Sequence, residues 1–304
     1  FETMAFFSRN VRTIRTIPRP TMRLFSQFDG DTADIYESLF VQHMHPNGPW
    51  RGMLNEVCKV LPDGKGTVLD IASGPGEPAC LIAGALPQTS VISSDFSEDM
   101  VAKATLRSQD LGNVSCQVVD AQDLSRFKDN SLDVVTCCYG FMFCPDPLKA
   151  LQEVYRVLKP GGSLITTYWF QLVSMDLCKE IMITVVGGKD NLPPPSINPM
   201  SLAKPNYTEN LLQQAGFDLK KVSISEDSYP FDLGNDEDRT FLAGVLPIYA
   251  SLQEMDNNGK RPKGEVIQIA KDSFYSQVKK LNFVQEDGSV IIEGNTFKMA
   301  VATK

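Results

Sequence analysis

Two glycines, Gly74 and Gly76, follow a short apolar run that carries one carboxylate, Asp70, and this grouping is the first place where the chain could do chemistry. Glycines at that spacing let the backbone turn sharply and approach a ligand closely, and a following helix presents its free N–H groups there. Gly74-x-Gly76-x-x-Ala79 also meets the dinucleotide fingerprint, and Asp95 lies about twenty residues on, where a carboxylate can hold a ribose. A nicotinamide oxidoreductase is therefore one reading. Asp70 favours another: a carboxylate at the strand end would repel a pyrophosphate but suits a cofactor carrying an ammonium and a sulfonium. Asp120 with Ala121 follows a later apolar run, where it could accept from an adenine amine or simply cap a turn.

The second grouping is notable for what it lacks. From Val134 to Pro145 there is no Asp, Glu, His or Lys; Cys138, Tyr139, Phe141, Met142 and Phe143 stand there instead, with Tyr168, Trp169 and Phe170 further on. Aromatic faces attract cations by about 0.5 to 2 kcal/mol, which suits a site holding one sulfonium and making another cation. Tyr139, at a strand end, is assigned to the site, whereas Phe143 and Phe170 read as packing. The only histidines, His43 and His45, are candidates to reach the reacting centre from an amino-terminal segment. The 7 cysteines lack paired zinc spacing, so no metal is expected and a reducing compartment fits.

The elements that must position these groups alternate. Strands are predicted at residues 67–71, 90–94, 114–119, 132–138 and 163–168, with helices at 98–109 and 147–158 between them. Pro78 sits where a first helical turn tolerates it. That rhythm predicts an α/β fold: a doubly wound, Rossmann-like, mostly parallel sheet with helices on both faces. Helical patterns near Asp31 and over residues 49–61 form a lid before the sheet. A cap or substrate region, about 171–209, interrupts it after the fifth strand. A helix at 209–215 and a strand at 220–225 return to the core, helical segments follow at 236–252 and 264–281, and a strand at 296–302 ends the pattern. Residues 31–304 read as one domain behind a basic arm, 1–30.

Four stretches in order, Leu69-Asp70-Ile71-Ala72-Ser73-Gly74-Pro75-Gly76, Asp95-Phe96-Ser97-Glu98-Asp99-Met100, Asp120-Ala121-Gln122-Asp123-Leu124 and Leu158-Lys159-Pro160-Gly161-Gly162, resemble the class I S-adenosylmethionine-dependent methyltransferase family. The resemblance is close over residues 68–168 and looser elsewhere. It implies that Asp70, Ser73, Gly74 and Gly76 line the methionine half of S-adenosylmethionine. Asp95 holds the ribose hydroxyls, Phe96 and Met100 flank adenine, and Asp120 and Ala121 read its edge. Cys138 and, from the lid, Tyr36 complete the cofactor set. The first loop glycine common in the family is Ala72 here.

Composition narrows the substrate. A net charge of -8 argues against a phosphate-backbone partner, so nucleic acid is not expected, and no apolar run approaches a membrane span. A small-molecule substrate remains. Residues 4–28 hold five arginines and no acid, the composition of an organelle transit segment or of an ordered basic arm, so the location is read as cytoplasmic or organellar. Since no base comes from the fourth strand, the leading expectation is S-methylation of a small thioether acid, as in synthesis of dimethylsulfoniopropionate precursors. N- or O-methylation of a small metabolite, or a non-catalytic cofactor-binding regulator, are the alternatives.

Overall fold

The computed structural model describes residues 40, 42–192, 198–259 and 261–304. The lid helix expected near Asp31, Tyr36 and the basic arm lie outside the described residues, as does part of the Pro-rich stretch of the cap.

Helix α1, Pro49–Val60, starts with Pro49 in its first turn and buries Trp50, Met53 and Val57. The parallel strands follow: β1 Gly66–Ile71, β2 Thr89–Asp95, β3 Val114–Val118, β4 Leu132–Cys138 and β5 Leu158–Gln171. Between them run α2 Ala79–Ala85, α3 Glu98–Arg107 and α4 Pro147–Val157. Local chemistry sets the helix starts. The Ser97 hydroxyl accepts from the Met100 N–H at the head of α3, and Asp146 accepts from the Lys149 N–H at the head of α4. Lone amphipathic helices of ten or eleven residues are marginal in water. Here their apolar faces, Met100 and Ala104 in α3 and Ala150, Leu151, Val154 and Val157 in α4, are held against the sheet.

After β5 come α5 Val173–Val186 and α6 Tyr207–Ala215, then β6 Val222–Ser228 and the two-residue strand β7 Phe231–Asp232. Three helices follow, α7 Glu237–Val245, α8 Tyr249–Asn258 and α9 Glu265–Lys280, before β8 Ile291–Ile292 and β9 Thr296–Thr303. The large sheet has seven strands in the order β3-β2-β1-β4-β5-β9-β6, in which β9 alone runs antiparallel to both its neighbours. The α/β, Rossmann-like, mostly parallel sheet read from the sequence is the one observed. Its central strands are buried on both faces, as the near-continuous apolar runs of β1 and β4 require.

A second apolar core stands beside the sheet. Leu177, Ile181, Met182 and Val185 of α5 pack with Phe241, Val245, Leu252, Val266, Ala270, Phe274 and Val278 of α7 to α9. The helical lobe is thus assembled from two segments, one after β5 and one between β6 and β9, joined by the β7–β8 pairing Phe231↔Ile292 and Asp232↔Ile291. Among the described residues no helix is long and apolar enough to cross a membrane.

Candidate active site

The carboxyl ends of the parallel strands, where open α/β sheets bind ligands, bring most of the singled-out residues to one edge. Asp70 is wholly buried near the end of β1; its Oδ1 accepts from the Thr136 hydroxyl at 2.6 Å, while Oδ2 has no partner. Burial raises this carboxyl from 3.8 to about 7. Beyond it the backbone turns left-handed at Ala72 (φ 54°) and Gly74 (φ 55°). The Ala72 departure thus falls where a Cβ costs about 1 to 2 kcal/mol. The Ser73 hydroxyl accepts from Ser93 Oγ at 2.8 Å, and its N–H donates to Ser94 O at 2.9 Å, stitching the loop to β2. Gly76 is required by close approach, because a Cβ there would lie 3.1 Å from Ala104 Cα of α3. At Gly74 a Cβ would meet nothing nearer than Phe40 Cζ, at 3.8 Å.

Asp95 ends β2, buried, and accepts from Gly74 N at 3.0 Å and Ser97 N at 2.9 Å. It therefore shapes the glycine loop. Phe96 beside it is 48% exposed, an open ring face available to a ligand, whereas Met100 is buried on the inner side of α3. Asp120 Oδ1 accepts from Gln122 N at 2.8 Å, the turn-capping role, and Ala121 is buried beside it. Replacing Asp95 by Ala is expected to raise the dissociation constant for S-adenosylmethionine about tenfold or more, measured by calorimetry, since a hydrogen bond to a charged group contributes about 1.5 to 3 kcal/mol.

Past β4 the chain takes an unusual course. Tyr139 has φ 56°, a conformation that bulky side chains rarely adopt. Its N–H is held by the carbonyl and the hydroxyl of Thr167, both at 3.2 Å. The neighbouring Gly140 allows the close pass, since a Cβ there would sit 2.6 Å from Ala72 Cβ and Cys137 Sγ. This backbone presents the Tyr139 ring flat against Trp169, with centroids 4.2 Å apart and planes 7° from parallel. Tyr229, just beyond β6, and Phe297 of β9 join the same cluster, 5.8 Å apart. Across it lies His43, 5.4 Å from Tyr139, 5.7 Å from Tyr229 and 5.6 Å from Trp50.

His43 Nδ1 and the Tyr229 hydroxyl are hydrogen-bonded at 2.6 Å, and the Tyr229 and Tyr139 hydroxyls lie 3.4 Å apart. Burial pulls the His43 imidazole down to about 3 and holds both phenols well above 10. All three groups are neutral near pH 7. His45 is partly exposed, accepts from Asn47 N at 3.1 Å and lies beside Tyr229 at 6.3 Å, further from the centre of the cluster than His43. Trp50, Tyr229 and Phe297 were not singled out in the sequence. Tyr229, just past β6, and Phe297, on β9, reach this edge only by the return of the chain through the lobe. Cys138 lies under the cluster at the end of β4, its sulfur accepting from the Thr167 hydroxyl at 3.5 Å.

The edge fits a cationic, adenosyl-type cofactor on two observations. Asp70 Oδ2 is a buried acceptor with no partner, suited to an ammonium, and over Gly74 a Cβ would meet only the tip of the Phe40 side chain, at 3.8 Å, where the backbone must meet a ligand. Residues 69–166 match the model of a methyltransferase domain. Over that span the chain carries a methyltransferase domain. Among its relatives, the ubiquinone/menaquinone biosynthesis C-methyltransferase UbiE of Desulfotalea psychrophila is 38% identical over 125 residues, 41% of this chain and 49% of that protein. The demethylmenaquinone methyltransferase of Listeria welshimeri is 40% identical over 119 residues, 38% of this chain and 49% of that one. The chain thus spans about half the length of the curated relatives it matches. Two solved structures share the fold at 18% identity. The YcgJ protein from Bacillus subtilis has a TM-score of 0.51 and covers 84% of this chain and 98% of its own. Phosphoethanolamine N-methyltransferase 2 of Haemonchus contortus, in complex with S-adenosyl-L-methionine, has 0.53 and covers 95% and 60%.

Proposed function

We propose that this chain is an S-adenosylmethionine-dependent methyltransferase that methylates the sulfur of a small thioether acid. The observation that carries the choice of nucleophile is the neutral aromatic box of Tyr139, Trp169, Tyr229 and Phe297 with His43 beside it. The sulfur lone pair of the substrate attacks the methyl carbon, the carbon–sulfur bond of the cofactor breaks, and the positive charge passes from one sulfur to the other. No proton moves. A box that holds the two reactants in line and excludes water then supplies what the step needs. Its aromatic faces favour a sulfonium before and after transfer.

An oxygen or ammonium nucleophile must lose a proton, and an imidazole held near 3 is a weak acceptor for it. Tyr139 and Trp169 are therefore assigned to line the reacting centre, and His43 to hold Tyr229 in place. One observation favours N- or O-methylation instead: the short Tyr229–His43 hydrogen bond has the form of a proton relay. The pH profile separates the two. With saturating cofactor and a thioether acid, the rate is expected to be nearly flat from about pH 6 to 9, with most activity kept in His43→Ala and His45→Ala. A steep rise with one ionisation, lost in His43→Ala, together with activity on amines or phenols only, would overturn the thioether reading.

A further inference from the structure

Besides Asp70 Oδ2, a second buried polar atom at this edge lacks a strong partner, and it is of the opposite kind. Trp50 is 2% exposed, and its buried indole Nε1–H has no oxygen or nitrogen partner, only the thiol of Cys138, a weak acceptor. A buried donor left unmade is costly, so native proteins pair such groups with protein, water or ligand. The position of the ring is well fixed. It meets Phe40 edge-on at 4.7 Å and His43 at 5.6 Å, and the tip of the Phe40 ring lies over Gly74. The indole N–H is turned towards the sulfur of Cys138, a weak acceptor, at the end of β4. Asp70 lies across the strand pair from that point, in register with Thr136, two residues before Cys138.

The Asp70 acceptor and the Trp50 donor therefore both lie beside the last residues of β4, at Thr136 and Cys138. A third feature agrees with an anion beside Trp50. The residue stands in the first turn of α1, whose N-cap, Gly48, offers no side-chain oxygen and whose first turn holds no acid.

We infer that Trp50 Nε1 donates to the α-carboxylate of the cofactor while Asp70 Oδ2 accepts from its α-ammonium, so that the pair reads the amino-acid end as a zwitterion. The assignment rests on S-adenosylmethionine being the cofactor. It makes Trp50 a cofactor-binding residue outside the four motifs and separates it from the methyl-accepting side.

The test compares two neutral-sulfur ligands on the full chain by calorimetry: S-adenosylhomocysteine, which has the amino-acid end, and 5′-methylthioadenosine, which lacks it. Trp50→Phe keeps the ring contacts and removes the donor. It is expected to weaken S-adenosylhomocysteine about tenfold or more and to leave 5′-methylthioadenosine within about twofold. Equal losses for both ligands would reduce Trp50 to packing and overturn the assignment. So would an unchanged affinity for S-adenosylhomocysteine, including the case where the KM for the thioether rises instead. Should Trp50→Phe not fold, the unmodified chain still answers. It has 2 tryptophans, so Trp169→Phe identifies the Trp50 indole N–H resonance. That resonance is expected to move downfield with S-adenosylhomocysteine and not with 5′-methylthioadenosine, and the same response to both would sink the idea. If the unmodified chain binds neither ligand, the cofactor reading itself fails.

Discussion

Asp70→Asn is expected to weaken S-adenosylmethionine binding by about a hundredfold, near 3 kcal/mol, and to remove most of its dependence on pH. Asparagine still accepts the Thr136 hydroxyl through Oδ1, so the strand end keeps its shape while the charge facing the ammonium is lost. The pH effect follows from the carboxyl standing at about 7 when no cation is bound, raised from 3.8 by burial. The cofactor binds the ionised form. Below about pH 7 binding must expel a proton, so the dissociation constant rises roughly tenfold per pH unit, whereas above that it levels off. In the ligand-free protein a raised carboxyl works the other way. Its contribution to stability is fully present below the ordinary value of 3.8 and is lost as pH rises through about 7. The thermal shift produced by S-adenosylmethionine should therefore be larger at about pH 8 than at about pH 5.5, and Asp70→Asn should level the two. A pH-independent dissociation constant in the unmodified protein would sink the assignment of Asp70 to the ammonium.

Gly74→Val is expected to abolish detectable binding of S-adenosylmethionine, a loss of more than about a hundredfold, with the fold retained. Two effects add. The backbone at this position has φ 55°, which a β-branched side chain adopts only under strain. Its Cβ would also project into the space over the loop, where no protein atom lies nearer than 3.8 Å and the cofactor must come close. The one neighbour is the end of a side chain at ordinary contact distance, which is why folding should survive. Gly76→Ala offers the contrast. Its added Cβ falls 3.1 Å from the α3 backbone, so the damage there should appear in thermal stability as well as in affinity. Circular dichroism melts beside calorimetry distinguish the two.

The glycine-loop side of the candidate site was legible because its residues are local in sequence. Asp70, Ser73, Gly74 and Gly76 sit within one turn, and the apolar runs before Asp95 and Asp120 mark strand ends by themselves. The turn-capping alternative weighed for Asp120 is visible as its bond to Gln122. The aromatic side was legible only in part. Tyr139 and Trp169 stand at the ends of strands with clear patterns, but β6 is amphipathic only in its first half and β7 and β8 are two residues each. Such short pairings leave no period to read. Trp50 was hidden for another reason: in α1 it is one apolar residue among several on a packed face, and only the lack of a strong partner for its N–H marks it out.

The place of β9 in the sheet orders the making of the site in time. This strand sits between β5 and β6 although both precede it in the chain. Until it is synthesised, β6 has nothing to pair with and β5 shows an open edge. The glycine loop and its carboxylates need only β1 to β4, so a growing chain can present a cofactor cleft early. The aromatic box waits for Phe297, which β9 itself carries, and for Tyr229, which β6 can dock only against β9. The glycine loop can thus form in the growing chain before the aromatic cluster is complete. A ribosome stalled within the helical lobe would leave a long bare strand free to recruit another chain.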